Sequence, residues 1–333
     1  MNRWKELCKS SNLLWNADLC LRGIAQVMLQ NNPLSGALFL AAIVWGSYAS
    51  NAPRLAIAAL IATVVATLFA QWLRVDRDAL EAGIYGYNAT LVGLALATFL
   101  APGALLWVYV VLGAIVSVVA TLATSRALQP SGLSALTFPF VLTAWLMLLA
   151  SYGFAGLSGT ALPSGAVVAP FQAYPSDPLD FAGFLAGVFR SISQVFLKSD
   201  GIAALLLLAG LAVSSMAAAV LAFAGAVLGV VTAHILGAES DLITGGLLGF
   251  SPVLSAIAIG TGFGRLGLRI AAYTALGIVF TVVTQAALNV ALTPFAIPAL
   301  TAPFVLVTWL FLLPRQCMET PQSARSAGDQ SGT

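Results

Sequence analysis

Apolar runs recur along the chain from residue 34 to residue 313, and short polar or turn-forming clusters separate them. A helix needs about 20 mainly apolar residues to cross the hydrocarbon core of a bilayer. "NNP" at 31–33 starts the first run, with Asn32 as the expected N-cap and Pro33 as the first helical residue. The pattern predicts ten crossing helices, at roughly 34–50, 53–73, 84–100, 104–125, 133–150, 202–215, 217–236, 246–262, 267–289 and 297–313.

Three sequence blocks occur twice, in the same order and at nearly constant spacing. This regularity indicates that two homologous halves make up the chain. The pairs are "RGIAQVMLQNN" (22–32) with "RSISQVFLKSD" (190–200), "GYNATLVGLALA" (86–97) with "GFSPVLSAIAIG" (249–260), and "SALTFPFVLTAWLMLL" (134–149) with "PALTAPFVLVTWLFLL" (298–313).

Charged residues predict how the halves are oriented, since Lys and Arg collect on the cytoplasmic side of a membrane. Glu239 and Asp241 fall outside, and Arg54 disagrees with the pattern. The assignment requires five segments of each half to cross and the first segment of each half not to cross, so the second half is inverted relative to the first. The basic residues assigned to the cytoplasmic side, both chain ends included, are Arg3, Lys5, Lys9, Arg74, Arg77, Arg126, Arg265, Arg269, Arg315 and Arg325.

The non-crossing segments, 13–30 and 181–198, are predicted to be re-entrant half-helices whose last carbonyl groups face a cavity. The alternative is an amphipathic helix on the membrane surface. The predicted fold is thus an all-α polytopic membrane protein of two inverted homologous halves, each with five transmembrane helices plus one re-entrant half-helix. Its expected divisions are a cytoplasmic N-terminal segment (1–12), the first half (13–150), an external linker (151–180), the second half (181–313) and a cytoplasmic disordered tail (314–333).

Composition supports the membrane assignment and excludes several classes of function. Hydrophobic residues make up 60% of the chain and charged residues 8%, against about 25% charged residues in soluble domains. A net charge of +2 gives no indication of nucleic-acid binding. The three cysteines lack metal-ligand spacing, so we expect free thiols and no metal or other cofactor. No nucleophile–base pair is visible, which argues against an enzyme.

The repeated blocks resemble those of the urea transporter family, on "RGIAQVMLQNNPLSG" (22–36), "GIYGYNATLVGLALA" (83–97), "GLLGFSPVLSAIAIG" (246–260) and the paired "ALTFPFVLTAW" and "ALTAPFVLVTW". The resemblance covers most of residues 20–313. It implies a homotrimer in the bilayer of the cell (inner or plasma) membrane, with passive, channel-like conduction of urea through a pore in each subunit.

The same resemblance implies which residues bind urea or line the pore. It places Gln26 and Gln194 near opposite mouths, the second where many relatives carry a carboxylate. It places Leu91 and Leu254 at a constriction, and Leu29 where relatives commonly carry phenylalanine. The full candidate set is Gln26, Leu29, Tyr87, Leu91, Thr137, Gln194, Val195, Phe250, Leu254 and Thr301.

Plainer interpretations compete at each candidate position. The leucines and aromatic residues are also typical of helix packing, and each glutamine could bond neighbouring backbone. Thr137 and Thr301 could bond the carbonyl one turn earlier, and we expect Pro139 and Pro303 to free helical carbonyls beside them. Arg22 and Arg190 are expected to bond carbonyls or reach the interface rather than contact a solute.

Two other functions remain open on the residues alone. Inverted repeats also form ion-coupled transporters, but no Asp, Glu or Lys occupies the middle of any predicted crossing. A channel for ammonia, water or short amides is the second alternative, although the chain has a single histidine, His234.

Overall fold

The computed structural model of the chain describes residues 11–168, 179–264 and 267–315, and within them every regular element is a helix. The first half contains α1 (Asn12–Gln26), α2 (Pro33–Ala49), α3 (Arg54–Trp72), α4 (Arg77–Glu81), α5 (Tyr87–Phe99), α6 (Ala104–Leu128) and α7 (Phe138–Ser151). The second half contains α8 (Phe181–Ser193), α9 (Gly201–Ser214), α10 (Met216–Ile235), α11 (Ser240–Thr244), α12 (Phe250–Gly262), α13 (Leu268–Leu292) and α14 (Ala302–Leu312).

The helices lie where the apolar pattern predicts them, since each predicted run and each predicted half-helix overlaps one of the longer helices. Asn32 caps α2 as expected, its side chain accepting a hydrogen bond from the Leu34 amide, with Pro33 in the first turn. Among the α-helices of the described residues, the sequence pattern missed α4 and α11, five residues each. Most of the predicted N-terminal segment, the centre of the linker and nearly all of the predicted tail lie outside the described residues.

Helix length separates the elements into two groups. Within the described residues, four helical segments are long and apolar enough to cross a membrane: Arg54–Trp72, Ala104–Ser131, Met216–Ile235 and Leu268–Phe295. A fifth candidate is the pair of segments Phe181–Phe196 and Gly201–Ser214, which meet at a bend of 70°. The chain is therefore a helical membrane protein, whereas the predicted count of ten full crossings is not confirmed by helix length.

The shorter apolar helices α5 and α12 form the centre of each half. All residues from 87 to 97 and from 250 to 260 are buried. A helix that is buried all round lies inside a bundle rather than at its surface. Helix α5 packs against α3, α6 and α7, and α12 packs against α10, α13 and α14, so the two halves repeat the same packing.

The halves are joined most extensively where α2 packs against α9. Ser35 of α2 donates a hydrogen bond from Oγ to the Gly210 carbonyl at 2.6 Å. The Phe39 ring, fully buried, lies with its centroid 5.8 Å from that of Phe196. Phe39 and Phe196 belong to one buried hydrophobic cluster, which also contains Ile24 of α1 and Val188 of α8.

Backbone strain repeats between the halves as well. Leu29 and Leu197 both have positive φ, at 62° and 56°, and so do Leu136 and Leu300, at 50° and 52°. A left-handed conformation costs a non-glycine residue about 1–2 kcal/mol. The packing around these four leucines must therefore stabilise their left-handed backbone. Leu29 and Leu197 follow the half-helices α1 and α8, and Leu136 and Leu300 precede α7 and α14.

Candidate functional site

The side chains of Thr137 and Thr301 meet where the two halves face each other. Their Oγ1 atoms lie 2.7 Å apart, a hydrogen bond in which either hydroxyl is able to donate. Both residues are buried, at 2% and 4% exposure. This threonine pair is the point at which candidate residues from both halves, 164 positions apart, touch directly.

Local backbone geometry explains how each threonine reaches this position. Thr137 and Thr301 are the N-caps of α7 and α14, each directly after a leucine of positive φ. Pro139 and Pro303 lie in the first turn, where a proline starts a helix without removing an internal hydrogen bond. The expectation that these prolines free helical carbonyls is therefore wrong.

The threonine hydroxyls do not follow the plainer interpretation, in which each bonds the carbonyl one turn earlier. That arrangement does occur in this chain, where Thr98 bonds the Leu94 carbonyl at 2.7 Å. As N-caps, Thr137 and Thr301 have no helical turn before them, so their hydroxyls are left to bond each other. Hydroxyls both donate and accept, so the pair could exchange this bond for bonds to a small polar molecule.

The two candidate glutamines occupy equivalent places in their halves. Gln26 donates from Nε2 to the Ala82 carbonyl at 2.9 Å, and Gln194 donates to the Gly245 carbonyl at 3.2 Å. Both are half-buried, and both acceptors are the C-cap residues of the short helices α4 and α11. The amides therefore bond backbone, but backbone more than 50 positions away rather than in their own neighbourhood.

The remaining candidates lie in the core or beside a cavity. Leu91 and Leu254 are almost fully buried in α5 and α12, and Val195 is buried at the end of α8. Leu29 is half-buried and contributes to a cavity of about 230 Å³, which Leu136, Thr261 and Trp309 also line.

Tyr87 has a specific role that Phe250, its counterpart in the second half, lacks. The Tyr87 hydroxyl donates to the Leu136 carbonyl at 2.6 Å, directly before Thr137. Phe250 is buried in the equivalent place but has no hydroxyl to donate. Tyr87 thus gives the threonine segment of the first half a hydrogen bond that Phe250 is unable to provide in the second.

Comparison with known proteins identifies this arrangement. The sequence model of the urea transporter family matches residues 17–316. The chain belongs to the urea transporter family. Urea transporter 1 of sheep is 30% identical over 299 residues, covering 89% of this chain and 76% of the sheep protein, and urea transporter 1 of rat is 32% identical over 302 residues, covering 89% and 76%.

Membership of the urea transporter family confirms the resemblance and the expectation that the chain is a transporter rather than an enzyme. Among the described residues, no group of three or more His, Cys, Asp or Glu side chains could hold a metal ion. Cys20 is a buried free thiol, and Cys8 and Cys317 lie outside the described residues.

The charged residues of the half-helices are held by protein groups in this urea transporter. Arg22 bonds the Asp18 carboxylate through Nε at 2.7 Å and the Asn31 side-chain oxygen through Nη1 at 2.7 Å. Arg190 donates to the Thr244 carbonyl at 3.2 Å. Arg22 also donates to the Asn31 carbonyl at 3.3 Å, so both arginines bond a carbonyl as expected. The ion pair within α1 was not expected.

Sequence reasoning missed two groups of residues around the threonine pair. Asn88 is fully buried, accepting from the Phe140 amide at 3.1 Å and donating to Thr121 at 3.2 Å. Trp145 and Trp309 donate hydrogen bonds between the halves. The tryptophans could have been identified from the sequence, because in each copy of the repeat the tryptophan follows the threonine by eight residues.

Proposed function

We propose that this protein conducts urea passively across the membrane, through a pore between the two halves of each subunit. The observation that carries the proposal is the threonine pair: Thr137 and Thr301, one from each half, are buried and 2.7 Å apart in a chain of the urea transporter family. The relatives named urea transporter 1 give the solute.

The chemistry of urea fits this pair. Urea is a planar, neutral molecule with one carbonyl acceptor and four N–H donors, and moving it unpaired into an apolar setting costs several kcal/mol. When the two hydroxyls move apart, they are able to accept hydrogen bonds from the N–H groups of urea and donate to its carbonyl. Neutral hydrogen bonds contribute only about 0.5–1.5 kcal/mol net, so they offset lost hydration without trapping the solute, as conduction requires.

We further infer the path on either side of the pair. Gln26 and Gln194 would stand at opposite mouths, since they hold equivalent positions at the ends of α1 and α8. Leu91 and Leu254, with Tyr87 and Phe250 one turn earlier on the same faces, would form the flat apolar walls of the slot. Leu29 and Val195 would line the path beside the glutamines.

We infer that the finer architecture is the one expected from the sequence. Each inverted half would contain five crossings and one re-entrant half-helix, with both chain ends cytoplasmic and three subunits in the assembly. The 70° bend after α8 supports a re-entrant segment. The paired positive φ values at equivalent leucines support two copies of one backbone.

Ion-coupled transport is the less favoured function. Asp18 is ion-paired with Arg22, and no Asp, Glu or Lys lies in the middle of a predicted crossing. Carriers that couple to ions commonly use an intramembrane ionisable group. Urea flux that a protonophore abolishes would favour this alternative.

The deciding experiment is stopped-flow measurement of urea entry into proteoliposomes. We expect the double substitution Thr137→Val and Thr301→Val to slow urea flux by about thirtyfold, since two hydrogen bonds to the solute of about 1 kcal/mol each are lost. The matched control is Thr143→Val with Thr308→Val. These threonines lie in the same two helices, buried, and their hydroxyls have no hydrogen-bond partner among the described residues.

Equal fluxes in the test and control variants would show that the threonine pair only packs. Ammonia and water permeabilities are measured on the same vesicles. An ammonia permeability far above that for urea would reject urea as the solute.

A further inference from the structure

Two tryptophans make the same hydrogen bond in opposite directions between the halves. Trp145 of α7 donates from Nε1 to the Pro298 carbonyl at 2.9 Å, and Trp309 of α14 donates from Nε1 to the Ser134 carbonyl at 2.9 Å. Pro298 and Ser134 are equivalent residues of the repeat, each three positions before its threonine. Each helix therefore binds the segment that leads into the other helix.

The segments held in this way are the ones that position the threonine hydroxyls. Between the bound carbonyl and the threonine lies the leucine of positive φ, Leu300 or Leu136. Such a residue favours relaxation to an ordinary conformation, which would move the N-cap that follows it. The indole bond fixes the segment on one side of the strained residue, and the helix fixes it on the other.

We infer that Trp145 and Trp309 are positioning residues that set the gap between the Thr137 and Thr301 hydroxyls, and with it the size of the planar amide that passes. This inference rests on the proposed conduction of urea and adds a determinant of selectivity to it. The tryptophans act through the threonine segments, and Trp309 also lines the cavity to which Leu29 contributes.

Ordinary packing is the competing explanation, and the substitution Trp→Phe separates the two. Trp309 also packs on Phe138, with ring centroids 5.4 Å apart. Phenylalanine keeps a large aromatic ring in contact but removes the N–H donor. If the ring alone matters, the gap between the hydroxyls stays as it is.

The chain offers a matched control in two hydrogen bonds that α6 and α13 make to α7 and α14. Tyr109 donates its hydroxyl to the Met147 carbonyl at 3.3 Å, and Tyr273 donates to the Phe311 carbonyl at 2.9 Å. These tyrosines are also equivalent residues of the repeat, but each bond stays within one half. Tyr109→Phe and Tyr273→Phe therefore remove comparable bonds to α7 and α14 without releasing a threonine segment.

The test compares the permeabilities of urea and N-methylurea in proteoliposomes that contain the full-length chain. We expect Trp145→Phe and Trp309→Phe each to raise the ratio of N-methylurea to urea permeability by about fivefold, the factor that one typical hydrogen bond represents. Tyr109→Phe and Tyr273→Phe should leave the ratio unchanged. The ratio does not depend on how much protein folds, because loss of folded protein lowers both fluxes equally.

A second set of variants tests the role of the strained leucine. Glycine adopts positive φ without steric cost, so Leu300→Gly should restore the native ratio in the Trp145→Phe background, and Leu136→Gly should do so in the Trp309→Phe background. An unchanged ratio in both Trp variants, or an equal change in the Tyr variants, would overturn the inference. Absence of urea flux through the unsubstituted protein would instead reject the proposed function itself.

Discussion

The two halves of this urea transporter share a backbone but only some of the side chains that hold it. Helix order, the packing around α5 and α12 and the left-handed leucines recur in both. One buried hydrogen-bonded pair differs, however. Asn88 and Thr121 of the first half correspond to Ser251 and Gln285 of the second, so the amide side chain and the hydroxyl side chain have exchanged positions within the pair. Packing therefore requires the same backbone turns in both halves. At the buried polar positions, different side chains serve equally well when they complete the hydrogen bond.

The capping of α2 and α9 shows the same principle. Asn32 caps α2 by accepting from the Leu34 amide. Asp200 caps α9 by accepting from the Ala203 amide, and its Oδ1 atom also accepts from the Trp45 indole of the other half. An N-cap needs a side-chain oxygen, which both residues supply, but the carboxylate adds a contact between the halves.

The largest expected effect comes from breaking a turn that both halves share. Gly83 and Gly246 are equivalent and have φ of 78° and 76°. A Cβ at Gly83 would lie 2.4 Å from the Gly23 amide nitrogen, and one at Gly246 would lie 2.4 Å from the Arg190 carbonyl carbon. We expect Gly83→Ala or Gly246→Ala to abolish folded protein, measured as the monodisperse fraction in size-exclusion chromatography.

The control for that prediction is a glycine whose counterpart is already an alanine. Gly132 has φ of 65° with no atom within 4 Å of a built Cβ, and the equivalent Ala296 has φ of 54°. Gly132→Ala should therefore cost only about 1 kcal/mol and leave the protein folded. Similar yields from all three variants would mean that close backbone contact does not decide the turn.

A smaller effect is expected where the halves differ in one hydroxyl. Tyr87→Phe makes the first half resemble the second and leaves the buried Leu136 carbonyl without its 2.6 Å donor. Among the described residues, only the Asn88 amide, 3.5 Å away, then remains as a donor to this carbonyl. Loss of one hydrogen bond costs about 1 kcal/mol, so the midpoint of thermal unfolding should fall. The matched change Phe250→Tyr removes no hydrogen bond, and an equal loss of stability from both would contradict this explanation.

The smallest effect concerns Lys198, the counterpart of Gln30. Lys198 is 3% exposed, and its Nζ has no hydrogen-bond partner in the parts of the chain that the structure describes. A buried charge without a partner is costly, so Lys198→Met should raise the free energy of unfolding by about 1 kcal/mol. Chemical denaturation measures the difference, and Lys198→Gln, which copies the first half, should behave in the same direction. Lower stability in both variants would show that the ammonium has a partner.

Much of the fold could be predicted from the sequence, because its signals are local. Apolar runs located the longer helices, and "NNP" marked the start of α2. Helices α4 and α11 were missed, since five residues are too few to show a helical period. The number of helices that cross the membrane fully could not be predicted from the apolar runs either. A 13-residue apolar helix such as α5 covers about 20 Å of the membrane's roughly 30 Å.

The candidate site was only partly predictable. Repeat spacing paired Thr137 with Thr301, but nothing in the local sequence indicated that their hydroxyls bond each other. Pro139 and Pro303 were wrongly expected to free helical carbonyls, because their place in the first turn depends on where each helix begins.

The sequence by itself determined that this is a helical membrane protein of two related halves, since apolar periodicity and repeat spacing are properties of the chain alone. Only the tertiary structure decided which polar groups find each other. Trp145 lies 153 positions from Pro298, and Ser35 lies 175 positions from Gly210. Such bonds depend on how rigid helices pack across the molecule. A buried donor in an apolar interior requires an acceptor, and packing decides which acceptor lies within reach.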